Sequence, residues 1–462
     1  MQTSKLFLPT EYATAYELIE YSDDKEKFSY EYLIVYKLYN KEQYIDEELM
    51  FQAYRFLVRR HPNMNAYYVK NLDGTIERKY ALYEDKVHVY FDSISPGDEN
   101  QIKSYIQSIR SLEVFKTLPM QKYYFLKTKH DYIIISYSHH AFKDVYIEII
   151  LIEEMMSIYS FLEVNKTASY EEATSHLEKI NDYSVVLENF HKENKERLED
   201  LVNFLKPKLQ NVDIPETSII SKNTNLCKAG KIRVIFNQTQ DAKLIMKQKN
   251  LKSNQCILTL SQIALQKVFQ IKGTLPFWKL NGARPKWAKG VLCSFIKDQV
   301  FINPLDESNS FFQQYQDNYS HLKESLIKFN NCDYSNALEV LTSFFGKDCS
   351  PKICFNNYII DTYSKYTYLD KVLSDEYDVV NSNMNIYFDV KNEIMLEEFS
   401  MTIFYKNKIF DHFIIHQLIK FIELGFKHID KIWNQRIENL SLDYLESLNS
   451  KLIEKNPLKY KF

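Results

Sequence analysis

Two adjacent histidines, His139 and His140, close an apolar run, and an aspartate, Asp144, follows four residues after the second of them. The run Tyr132-Ile133-Ile134-Ile135-Ser136-Tyr137-Ser138 is dominated by β-branched and aromatic residues, so it reads as a buried strand that delivers two imidazoles to its end. Histidine titrates close to neutral pH, so an imidazole held there can take a proton from a nucleophile and return it later. Asp144 stands where an apolar helical segment begins, and its carboxylate can accept from free backbone N–H groups. The bland alternative for a lone His-His pair is a strand cap without chemistry. A second candidate is His412-x-x-x-His416, with His428 beyond it, which has the spacing of two zinc ligands on one helix face. It lacks an adjacent Glu and an evident third ligand, so it reads as ordinary helix surface. A metal held by His139, His140 and Asp144 ranks below proton transfer.

Composition narrows the chemistry further. With only 8 glycines in 462 residues, neither a G-x-G-x-x-G turn nor a G-x-x-x-x-G-K-[ST] cradle can be written anywhere. Dinucleotide-dependent enzymes and P-loop ATPases are therefore poor first readings, and any activated substrate must arrive already activated. A net charge of −3 argues for neither nucleic acid nor an anionic membrane as partner. The 6 cysteines, at 227, 256, 293, 332, 349 and 354, form no C-x-x-C pair and read as free, buried thiols. The abundance of Tyr and Phe reads as compositional bias. The N-terminus lacks the apolar core of a signal peptide, and Glu148, Glu153 and Glu154 interrupt the longest apolar stretch. These features predict a cytoplasmic, reduced and soluble protein.

The elements that must position the histidines alternate between strand and helix. In the first part, strands are predicted at Tyr30–Leu38, Lys122–Thr128 and Asp131–Ser138, and helices at Asp46–Arg60 and Gln101–Phe115. Asp73-Gly74 marks a hairpin between Ala66–Lys70 and Thr75–Leu82. An amphipathic helix is predicted over Asp144–Leu162. The charged run Lys192–Leu209 reads as a solvated helix, with an acidic carrier protein as its alternative partner. Beyond it, strands are predicted at Lys231–Phe236, within Val291–Ile302, and at Ile353–Ile360, Met384–Val390 and Glu398–Tyr405. Helices are predicted at Ser253–Lys272, Ser310–Phe329, Ser335–Phe345 and Ile409–Ile432. A chain of this length suits two α/β domains, residues 1–180 and 181–435, followed by a polar tail over 436–462.

The string His139-His140-x-x-x-Asp144-Val145 resembles the HHxxxDG signature of the condensation domains of nonribosomal peptide synthetases, within the chloramphenicol acetyltransferase-like superfamily. Val145 stands where the family has glycine. Other segments follow in the family's order. Arg59-Arg60-His61-Pro62-Asn63-Met64-Asn65 is similar to the RHxxLRTxF segment, with Asn65 at its second arginine. Leu275-Pro276-Phe277-Trp278 and Gly282-Ala283-Arg284-Pro285 resemble the strand and turn before the tunnel-closing segment. Gly290-Val291-Leu292-Cys293-Ser294 sits where the family has GxFVNT, with Ser294 for the asparagine. Asn331-Cys332-Asp333-Tyr334 and Lys352-Ile353-Cys354-Phe355-Asn356 resemble two later boxes. Together they cover most of the chain, from about residue 30 to 430.

The resemblance implies an α/β (α+β) architecture of two acetyltransferase-like lobes forming a V-shaped pseudo-dimer with a tunnel between them. It implies a free-standing condensation-type acyltransferase that joins an acyl thioester to an amine or alcohol acceptor, with His140 as general base or orienting residue. His139 and Asp144 would then fix the loop, Asp144 against Arg59, Arg60 or Arg284. Val145, Gly290 and Ser294 would lie along the substrate path. The implied partners are an acyl or peptidyl carrier protein and a small-molecule acceptor, with monomer as the default state. No bound cofactor or metal is implied; the substrate would ride on phosphopantetheine or CoA. Two other readings remain: a catalytically silent platform that binds carrier proteins or recruits an enzyme, and a CoA-dependent acyltransferase.

Overall fold

The computed structural model describes residues 31–38, 44–72, 76–80, 89–93, 99–111, 121–128, 132–139, 145–180, 198–209, 229–281, 297–329, 352–360, 369–372, 385–393, 398–407 and 409–455. They fall into two compact units. The first begins with β1 (Glu31–Leu38), α1 (Glu47–Arg60) and the hairpin β2 (Ala66–Lys70) and β3 (Ile76–Tyr80). It continues with β4 (Val89–Ser93), α2 (Glu99–Ser111), β5 (Gln121–Lys127), β6 (Tyr132–His139), α3 (Val145–Val164) and the short α4 (Tyr170–Thr174). The second unit opens with α5 (Leu198–Leu209), β7 (Ala229–Ile235), α6 (Gln240–Gln248) and α7 (Ser253–Phe269). Then come β8 (Phe277–Asn281), β9 (Lys297–Phe301), α8 (Phe311–Phe329) and β10 (Ile353–Ile360). The next strand, β11 (Leu369–Val372), belongs to the first unit, after which β12 (Ile386–Glu393), β13 (Glu398–Lys406), α9 (His412–Lys427), α10 (Ile429–Ile432) and α11 (Leu442–Lys455) complete the second.

The first unit's sheet runs β11-β1-β6-β5-β4, antiparallel except for the β4–β5 pair. Its core explains the apolar sequence of β6. Tyr132 and Ile134 join Leu57, Val58, Leu151 and Met155 from α1 and α3 on one face. Ile133, Ile135 and Tyr137 meet Ile102, Ile106 and Ile109 of α2 on the other. A strand covered on both faces has no polar side to alternate with. Helix α3 shows the one-sided burial predicted for it. Leu151, Ile152, Met155, Met156, Ile158, Tyr159 and Leu162 are all buried, and so is Glu148. Glu153, Ser157, Ser160 and Phe161 lie on the helix's other, partly exposed side, and Val164 is exposed.

The second sheet runs β7-β13-β12-β10-β8-β9, with parallel pairing of β10 to β8 and β12. Phe277, Phe301, Ile353, Phe388 and Ile403 pack against α7 and α9, in which every residue of Cys256–Gln266 is buried. Gly425 of α9 lets that helix close on α7: a Cβ there would stand 2.7 Å from Leu260 Cδ2. The predicted helix over Ile409–Ile432 is divided at His428, whose φ of −110° and ψ of 33° leave the α region. The segment predicted as a polar tail instead contributes Ile437, Leu440 and Leu445 to the second core, with α11 lying on α9. Its apolar positions are interleaved with charged residues and are easily overlooked in sequence. The strands β4 and β11 and the helix α6 were not anticipated. The predicted helix at Ser335–Phe345 and the beginning of the Val291–Ile302 segment lie outside the described residues. Among the described residues no helix is long and apolar enough to cross a membrane. Cys256 and Cys354 are buried free thiols.

Candidate functional site

Strand β6 lies in the interior of its sheet, flanked by β1 and β5, and ends at His139, which is in register with Glu31 of β1. Six residues later α3 begins at Val145. His140 and Asp144 fall in the connection and lie outside the described residues, as do Arg284, Gly290 and Ser294. Ser136 and Ser138 alternate with the tyrosine and isoleucines of β6 and are both fully buried. Among the described residues the Ser138 hydroxyl, one residue before His139, has no hydrogen-bond partner.

The helix that follows the signature is tied down by ionised groups. Arg60 donates from Nε to Glu154 Oε2 at 2.9 Å and from Nη2 to Glu154 Oε1 at 3.0 Å. The same guanidinium donates to the Glu178 carbonyl. His61 Nε2 stands 2.6 Å from Glu154 Oε2, and His61 is 2% exposed at its side chain. Burial alone would push the Glu154 carboxyl up; hydrogen bonds and charge from His61 and Arg60 outweigh it and hold the group below the usual carboxylate range. Arg59 pairs at 2.7 Å with Glu171 of α4 and lies 4.1 Å over the Tyr170 ring. The amide N–H groups of Ile45 and Asp46 donate to the hydroxyls of Tyr132 and Tyr159 at 3.1 and 2.9 Å. Thus α1, β6 and α3, the elements on either side of the His139–Val145 interval, are cross-linked by directional contacts.

Among the described residues, then, the carboxylate partners of Arg59 and Arg60 are Glu171 of α4 and Glu154 of α3. Glu154 was read from sequence only as an interruption of an apolar stretch. A carboxylate within such a stretch is the available signal for a buried ion pair.

The second unit carries a polar set on the sheet face opposite its main core. Asn356 Nδ2 of β10 donates to Asp389 Oδ1 of β12 at 3.2 Å, and Lys391 Nζ lies 3.8 Å from Asp389 Oδ2. Ser400, Thr402, Asp389 and Lys391 are all buried. On the core face instead, Lys279 of β8 is in register with Phe355 of β10; it is buried with its ammonium 5.8 Å from that ring, and burial lowers its pKa to about 8. The strands of Asn356, Lys279 and Asp389 were all anticipated in sequence, but of these residues only Asn356 stood in a segment quoted for its motif. Asp389, Lys391 and Lys279 come from strands whose pairing sequence does not reveal.

Comparison with solved structures gives the fold its relatives. The X-domain from teicoplanin biosynthesis is similar with a TM-score of 0.73 at 10% identity, over 96% of this chain and 98% of that one. The chain has a condensation-domain fold. The first condensation domain of the calcium-dependent antibiotic synthetase, in complex with a substrate analogue, gives a TM-score of 0.71 at 8% identity, over 94% of this chain and 98% of that one. The starter condensation domain of rhizomide synthetase gives 0.70 at 11% identity, over 96% and 100%. No family model and no curated protein sequence matches the chain. The condensation-domain fold accords with the order of the segments noted in sequence. Arg59-Arg60-His61 closes α1, Phe277-Trp278 opens β8, and Cys354-Phe355-Asn356 lies in β10.

Proposed function

We propose that the protein is a condensation-type acyltransferase of nonribosomal peptide or related natural-product biosynthesis. The observation that carries this reading is the β6–α3 junction. A strand from the sheet interior ends at His139 and a clamped helix starts at Val145, within a condensation-domain fold. The elements before and after the signature are themselves fixed, which supports reading His140 as the aimed group.

The donor is an acyl thioester on the phosphopantetheine arm of an acyl or peptidyl carrier protein, and the acceptor is an amine or alcohol. The acceptor nitrogen or oxygen attacks the thioester carbonyl, the new C–N or C–O bond forms, and the C–S bond breaks. His140 accepts the proton released by the acceptor and returns it to the leaving thiolate. His139 and Asp144 hold the loop. With Arg60 on Glu154 and Arg59 on Glu171, the reading favours Arg284 as the partner of Asp144. Val145, Gly290 and Ser294 line the substrate path.

The test is product formation by mass spectrometry, with a panel of carrier-bound and CoA thioesters and mixed amine and alcohol acceptors. His140→Ala is expected to lower the rate by about 100-fold or more, the usual contribution of general-base catalysis. Use of free acyl-CoA without a carrier would place the donor in the CoA class. A second reading, a platform that recruits another enzyme, is favoured by the solved complex of the teicoplanin X-domain with OxyB, whose X-domain has the same fold at a TM-score of 0.73. Val145 in place of the signature glycine fits that reading. No product from either the wild type or His140→Ala, with carrier or enzyme binding retained in both, would favour the platform.

A further inference from the structure

The second unit contains a pair of histidines on one helix, one of which its sheet also orients. His412 and His416 lie one turn apart on the exposed side of α9, and their Nε2 atoms are 3.1 Å apart. Two imidazoles bound to one Zn²⁺ at 2.0–2.1 Å in tetrahedral geometry would place their nitrogens roughly 3.3 Å apart. The other ring nitrogen of His412, Nδ1, is hydrogen-bonded to the hydroxyl of Tyr405. That contact can hold the tautomer in which Nδ1 carries the proton and Nε2 presents its lone pair, the usual arrangement behind a metal-ligating histidine.

Tyr405 is itself fixed from the sheet. It is buried in β13, and its cross-strand neighbour in β7 is Gly230. A Cβ at Gly230 would collide with the Tyr405 ring and with Asn407 Oδ1, so the glycine leaves the space the ring occupies. The two histidines open onto a concavity of ≈ 720 Å³, with Asp411 and Glu423 on its wall. Lys420, the nearest cation on the helix, is held by Glu446 of α11 at 2.5 Å.

We propose that His412 and His416 form a binding site for a divalent transition-metal ion of the Zn²⁺, Ni²⁺ or Cu²⁺ class, with Tyr405 as the positioning residue for His412. Imidazole suits these ions. Among the described residues no three His, Cys, Asp or Glu side chains gather into a metal-binding group. The described residues thus supply two ligands, with water or a further group completing the shell. The site is independent of His140 and of acyl transfer.

The full-length protein, stripped with EDTA, is titrated with Zn²⁺ near pH 7.5. Diethyl pyrocarbonate labelling with peptide mass mapping is expected to show His412 and His416 protected together by Zn²⁺. In Cu²⁺ electron paramagnetic resonance, the wild type should show two coupled imidazole nitrogens, reduced by His416→Ala. Tyr405→Phe should raise the apparent Kd by about 10–100-fold while leaving both ligands in place. Both histidines are on an exposed helix face, and circular dichroism checks that each variant folds. Labelling of His412 and His416 that is unchanged at saturating Zn²⁺, or unaltered binding in His416→Ala, would overturn the proposal. The labelling arm needs no variant.

Discussion

At the scale of single residues, the most consequential group is Glu154. It accepts from Arg60 and His61 while its side chain is 11% exposed, so its charge is desolvated and then compensated twice. Removing one member of such a set leaves the others buried without a counter-charge, which commonly costs 3–5 kcal/mol. Glu154→Gln keeps the shape and part of the hydrogen bonding, and is expected to lower unfolding free energy by about 3 kcal/mol, measured by urea titration. The pH dependence follows from the depressed carboxyl. Between the folded and the unfolded pKa the unfolded chain binds more protons, so the Glu154 contribution is full above the unfolded value and is lost as pH falls through the folded one. The wild-type advantage over Glu154→Gln should therefore be largest near neutral pH and shrink below about pH 4. An advantage that persists undiminished at pH 3 would contradict the ion-pair account.

At the scale of elements, α7 and α8 are joined by amides rather than by apolar contact alone. Asn318 Nδ2 donates to Thr259 Oγ1 and to Gln262 Oε1, each at 3.0 Å. Its Oδ1 accepts from Asn303 Nδ2 at 2.7 Å and from Gln314 Nε2 at 3.2 Å. Gln262 and Gln314 continue outward to the carbonyls of Asn303 and Pro304. Asn318 thus uses both donors and both lone pairs in a buried site, the condition under which a polar network specifies one packing. Asn318→Ala strands two donors and two acceptors at once and is expected to destabilise by about 2–4 kcal/mol. The cost should appear as a lower urea midpoint with unchanged far-ultraviolet circular dichroism before the transition. A variant within 0.5 kcal/mol of wild type, the usual range for an exposed site, would show the network is dispensable.

At the scale of the whole molecule, the first sheet depends on a strand that arrives late in the chain. β11 pairs with β1 through Tyr36↔Val372 and Leu38↔Leu369, and so covers the outer edge of β1. An uncovered edge strand presents unpaired N–H and C=O groups that invite association. A fragment ending at residue 193 contains the other strands of this sheet but not β11. It is expected to associate or remain unfolded in size-exclusion chromatography and circular dichroism, although it carries a substantial core. A monomeric, cooperatively folding fragment would show that β11 is an accessory.

Much of the architecture was legible from local pattern. Ile353–Ile360 was placed to the residue, and β6, α1 and α7 to within a few, because period and length identify an element wherever its burial is one-sided or complete. The order of short segments likewise pointed to the condensation-domain fold that the structure adopts. What tertiary structure alone decided is which distant residues meet. Arg60 and Glu154 are 94 positions apart, Asn318 and Thr259 are 59 apart, and β1 finds its neighbour β11 across more than three hundred residues. Sequence period reports whether a side chain is covered and not by what. It therefore showed the apolar character of α3 while missing that Glu154 of this helix meets Arg60, and showed His412 and His416 one turn apart while missing the tyrosine that orients one of them. Those facts depend on strand register and helix packing, which are set by the free energy of the folded whole.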